Sequence, residues 1–211
     1  MKKEKDIKPN EGRELRNKVN GQEYLRIPIE THFIELSENL EKIIDTYAAK
    51  KLKDGDVLCV ATKIVSIAEE MVVHKDDVKI TWLAKLIARF VKKWPNDIGY
   101  SNPRKIQVAI NIVGYPRIVA AIVGGVFMKL LGKPGYFYII AGHRINAIDG
   151  FTVGFTEKKI FEEYAFLPPS EKEGDAIAER LDKSIGHPIV ILDGNNVENN
   201  IERENEINEN S

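Results

Sequence analysis

The sequence predicts a mixed α/β (α+β) fold, a central mixed sheet with flanking helices, and three observations carry that expectation. Residues 57–66 (VLCVATKIVS) are too apolar and too β-branched for an exposed strand and belong inside a sheet. Residues 170–192 read as a capped helix followed by an apolar strand, the succession typical of α/β sheets. Two apolar runs, residues 145–148 and 189–192, each end in the same dipeptide, Asp149-Gly150 and Asp193-Gly194. Each run delivers a carboxylate to a strand end, where ligands of open α/β sheets gather. Two such ends close in space could hold a divalent cation and a phosphate. On local sequence alone, ordinary turns are the favoured reading of both pairs.

Bulk properties narrow the classes. A chain of 211 residues, 43% hydrophobic and 30% charged, can bury the core of one globular domain. A formal net charge of −1 supplies no global field for nucleic acid. The lone Cys59 cannot form an internal disulfide and reads as a small buried residue, which fits a reducing cytoplasm. No apolar segment follows the N-terminal lysines, so no signal peptide is expected.

Residues 1–22 and 198–211 are polar and are expected to be disordered tails around a domain at 23–197. Within it, residues 24–29 suggest an opening strand. Ser37 is placed to cap a helix reaching about Leu52, with Leu40, Ile43, Ile44 and Tyr47 on one face. Residues 82–133 form an apolar helical insert: one helix at 82–94, then two at 105–113 and 117–131, broken at Gly114-Tyr115-Pro116. The stretch 118–131 is shorter than the ~20 residues that span a bilayer. It reads as a buried or interfacial helix, with peripheral membrane contact left open by the flanking Arg117, Lys129 and Lys133. Residues 136–141 and 145–148 are expected as strands around a tight turn, and 164–167 as another. Ser170 starts a helix that Gly186 stops, and 188–192 form the last strand.

Thr62, Lys63 and Ser66 stand out on the first apolar run as hydroxyls and a cation able to meet a nucleotide, although spacing alone favours a strand end where polar residues meet water. His143 and Arg144 could contact a phosphate or carboxylate near Asp149, and a solvent-exposed turn explains them equally well. Neither a Walker loop nor GxGxxG occurs, the histidines lack zinc spacing, and no nucleophilic triad stands out.

Together, residues 54–69 (DGDVLCVATKIVSIAE), Ala147-Ile148-Asp149-Gly150-Phe151-Thr152, Phe166-Leu167-Pro168-Pro169, the helix at 175–185 and residues 188–196 (PIVILDGNN) resemble the coenzyme F420-0:gamma-glutamyl ligase family. The resemblance covers roughly residues 27–196. It implies a cytoplasmic homodimer that uses GTP, or ATP, with Mg2+ or Mn2+ to join L-glutamate, or a similar amine, to a carboxylate. It also implies metal binding by Asp149 and Asp193, and nucleotide contacts at Pro28, Ile29, Thr62, Lys63, Ser66 and Thr152. Substrate or phosphate contacts fall to His143, Arg144 and Asn195, and no residue is assigned as a catalytic base. The chain carries Ile67, Glu70, Thr152 and Gly194 where the ligases carry lysine, glycine, asparagine and a hydroxyl residue. It also lacks their glycine-rich C-terminal section, which makes it similar to the family's shorter bacterial members. An inactive ligase-like nucleotide- or metabolite-binding or scaffold protein is the alternative expectation.

Overall fold

The computed structural model describes residues 7–9, 14–91, 101–133, 135–152 and 159–193. The chain opens with an antiparallel hairpin, β1 (Arg16–Val19) and β2 (Gln22–Leu25), turned at Asn20-Gly21, both with positive φ. The opening strand thus starts earlier than residues 24–29, and its partner lies within the stretch expected as a polar tail. Next, α1 (Leu40–Tyr47) is capped by Asn39, whose side chain accepts from the Lys42 N–H, and not by Ser37. Ser37 instead sits at φ 62°. A 3-10 turn (Ala49–Lys51) follows α1.

Only half of the apolar run at 57–66 is a strand. β3 (Leu58–Ala61) gives way at Thr62 to α2 (Thr62–Ala68), which buries Val65, Ser66 and Ile67. Leu58 and Val60 point inward while Cys59 is exposed, contrary to the buried position expected for it. β4 (Val72–His74) leads to α3 (Trp82–Phe90), capped by Thr81. Then α4 (Pro103–Val113), capped by Asn102, meets α5 (Tyr115–Leu130) at Gly114 with a 114° bend. Gly114 adopts φ 81°, which an L-residue resists, and Pro116 starts the next helix without a lost hydrogen bond.

Neither run expected as a strand is one: 136–141 is helical as α6 (Tyr136–Ala141), and 145–148 begins in α7 (His143–Asn146) and ends in a turn. α6 packs against α5 where that helix carries Gly124 and Gly125. A Cβ on Gly125 would lie 3.0 Å from Phe137 Cβ. The chain closes through β5 (Asp149–Gly150), α8 (Ile160–Glu163), β6 (Tyr164–Phe166), α9 (Glu171–Ile185) and β7 (Ile189–Leu192). α9 begins with a complete Ser170–Glu173 capping box and ends at Gly186 in the left-handed region.

The fold is α/β, with both parallel and antiparallel pairing. Among the described residues the pairing is spread over three small sheets: β1–β2, the parallel pair β3–β7, and the antiparallel order β4-β6-β5. Two cores result. One gathers α1, β3, α2, α9 and β7 around Leu40, Val65, Leu181 and Ile189. The other gathers the helices α3 to α7 around Ile110, Ile118, Ala121 and Ile145. Strand β6 divides them: Phe166 belongs to the first core and its neighbour Ala165 to the second, as the two-residue strand period requires.

Candidate functional site

Parallel pairing of β3 with β7 sets the site. Its register places Ala61 opposite Leu192, so the residues just beyond, Thr62 and Asp193, emerge at the same level. Thr62 Oγ1 donates to Asp193 Oδ1 at 3.3 Å. The next residue, Lys63, forms an ion pair with Asp149, which starts β5. One turn of backbone at the start of α2 therefore holds both aspartates, one through a hydroxyl and one through an ammonium.

The Asp149 carboxylate is half-buried, and its Oδ1 accepts from the Gly150 N–H at 2.8 Å. Burial alone would push its pKa up. The hydrogen bond and charge of Lys63, the Gly150 N–H and the more distant Lys105 outweigh that and hold it below the ordinary carboxylate value. Lys63 Nζ also lies 5.5 Å from the centre of the Phe161 ring, so an aromatic face supports the cation from a second side.

Gly150 is fixed for a structural reason. It adopts φ 104°, and a Cβ there would lie 2.1 Å from Tyr164 O on the neighbouring strand. The close backbone approach at Gly150 is thus to β6.

The other expected residues fall elsewhere. Ser66 is buried, with Oγ 2.8 Å from Thr62 O and 2.7 Å from Leu167 O, so its hydroxyl ties α2 to the segment after β6. Thr152 is buried and its N–H donates to Phe161 O. Pro28 is exposed in the loop ahead of α1, and Ile29 packs on the first core. Arg144 donates from Nε to Pro168 O at 3.0 Å and pairs with Glu173 at 3.5 Å, docking α7 onto the start of α9. His143 opens α7, with its side chain outside the described set, and Asn195 and Gly194 lie outside the described residues.

Phe161 and Lys105 belong to this neighbourhood and were not anticipated. Lys105 is buried in the first turn of α4, yet in sequence it is one lysine in a basic stretch. Phe161 had only its aromatic character to mark it.

Among the described residues, no group of three or more His, Cys, Asp or Glu side chains could hold a metal. Asp149 and Asp193, each held by a neighbouring residue at the start of α2, are the two carboxylates of the site that a hard cation such as Mg2+ could use. That ion keeps several waters and is commonly held by one or two carboxylates together with the phosphates of a substrate. A family model described as F420-0:Gamma-glutamyl ligase matches residues 28–193, from the loop ahead of α1 to the aspartate after β7. No curated protein sequence matches the chain.

Proposed function

The chain belongs to the F420-0:gamma-glutamyl ligase family, and from that premise we propose that it is a nucleotide- and divalent-metal-dependent ligase joining an amino acid to a carboxylate. The observation that supports this reading is the convergence of Thr62, Lys63, Asp149 and Asp193 at the ends of β3, β7 and β5. Amide formation from a free carboxylate needs its oxygen converted into a leaving group. A carboxylate oxygen attacks the terminal phosphorus of GTP or ATP, and the bond to the nucleoside diphosphate breaks. The amine nitrogen of the amino acid then attacks the acyl carbon, sheds a proton, and inorganic phosphate departs.

Asp149 and Asp193 would hold Mg2+ or Mn2+, which when bound neutralises negative charge on the phosphates. Lys63 pairs with Asp149, and Thr62 donates to Asp193. On arrival of a phosphate, the Lys63 ammonium can turn from Asp149 to a phosphoryl oxygen, and the Thr62 hydroxyl can donate to another. Phe161 keeps the ammonium within the site during that exchange.

One observation favours a second reading. Lys63 already neutralises Asp149, as a cation would, so the fold could bind a nucleotide or metabolite, or serve as a scaffold, without turnover. Melting temperature tests the metal–nucleotide site, measured with Mg2+ or Mn2+, with and without GTP and ATP, for the parent and Asp149→Asn, and release of inorganic phosphate from the nucleotide separates turnover from binding alone. A ligand at 100 times its Kd adds about 2.7 kcal/mol. A metal-dependent nucleotide shift that Asp149→Asn removes supports the ligase. No shift with either nucleotide in folded protein sinks it.

A further inference from the structure

We propose that the helical half of the molecule docks peripherally on an anionic lipid bilayer through the outer face of the α5–α6 hairpin. Charge is divided very unevenly along this chain. Positions 78–148 carry eleven Lys or Arg and a single acidic residue, Asp97, for a net of +10. The remaining 140 positions carry 20 Lys or Arg and 31 Asp or Glu, for a net of −11. The near-neutral total conceals two opposed halves, and the basic one contains the helices of the second core.

Among the described residues, that same half carries most of the exposed large apolar side chains. On α5, Val119, Val123, Val126, Phe127 and Leu130 are all exposed, Leu130 at 81%. At 3.6 residues per turn they fall within an arc of about 100°. The opposite side of α5 is spent on the core through Ile118 and Ala121, and on α6 through Gly124 and Gly125. α6 adds Ile139, 66% exposed. Exposed Lys129 stands near the C-terminal end of α5, with exposed Lys133 just beyond it, while Arg117 at the other end donates from Nε to Ile140 O. On α3, exposed Trp82 and Phe90 are interleaved with exposed Lys85 and Arg89.

An apolar stripe with cations at its margins suits an interfacial helix: the stripe enters the acyl boundary and the cations meet lipid phosphates. Charge also argues against a second copy as the occupant, since that would bring two basic halves together. No single helix among the described residues is long and apolar enough to cross a bilayer, and α4 with α5 reaches that length only across a 114° bend; the proposal lays α5 in the plane of the surface. Docking leaves the ligase reading untouched.

The test is flotation of the full-length chain with vesicles of phosphatidylcholine alone and of an equal mixture with phosphatidylglycerol, alongside sedimentation equilibrium without lipid. The chain should float with the anionic vesicles only and be released by high salt. Phe127→Asp with Leu130→Asp should abolish flotation with an unchanged circular dichroism spectrum. Lys129→Glu with Lys133→Glu should weaken partitioning by about tenfold or more. Failure to float with anionic vesicles at low salt overturns the proposal, and so does equal flotation with both. A lipid-free dimer that Phe127→Asp dissolves, in protein that ignores vesicles, assigns the face to a second copy instead.

Discussion

Lys63 and Asp149, 86 positions apart, form an ion pair across the gap between the start of α2 and the start of β5. The pair is sensitive to pH in a definite direction. The Asp149 carboxyl lies below its ordinary value in the folded protein. Its contribution is therefore fully present above the unfolded-state value of about 3.9 and is lost as pH falls through the lower folded value. Denaturation of parent and Asp149→Asn without metal should show a stability gap at pH 7 that narrows below about pH 4. A gap unchanged at low pH would mean that the pair contributes nothing to folding.

Lys63→Met keeps a side chain of similar length against Phe161 while removing the charge. It should abolish the nucleotide-dependent shift in melting temperature and leave the fold intact. Ser66→Ala should do the reverse. Its hydroxyl is buried between two carbonyls, so its loss should cost about 1–3 kcal/mol in urea denaturation without changing nucleotide affinity. Weaker nucleotide binding by Ser66→Ala at unchanged stability would return that residue to the binding surface.

Gly150→Ala should be the most damaging small substitution near the site. It combines a positive φ with a Cβ placed inside Tyr164 O, so about 3 kcal/mol or more should be lost. A urea midpoint close to that of the parent would show that β5 can shift away from β6.

Sequence revealed those elements whose ends are chemically marked. The helix from Ser170 to Gly186 has a capping box and a left-handed stop, and the α4–α5 break has Gly114 and Pro116. It misled where marking was weak or propensity opposed the fold. Thr62, Ile64 and Val65 are β-branched, yet α2 turns there because that conformation buries Val65 and Ile67. α6 and α7 are aromatic- or Ile-containing and only six and four residues long, too short to display a helical period. Their conformation comes from packing, α6 against the two glycines of α5, which is non-local information. In the candidate site, the two Asp-Gly ends and the Thr62-Lys63 pair were visible. Ser66 was not separable from them, because only the turn of α2 directs its hydroxyl inward.

Strand β6 supplies Ala165 to one core and Phe166 to the other, while its backbone pairs with β5 on one edge and β4 on the other. Neither half of the molecule can loosen alone without exposing part of this shared wall. The two cores should therefore melt as a single cooperative unit rather than one after the other. Asp149, lying opposite Phe166 in that ladder, is set by the same wall, so its position registers the packing of helices that contribute no side chain to its ion pair.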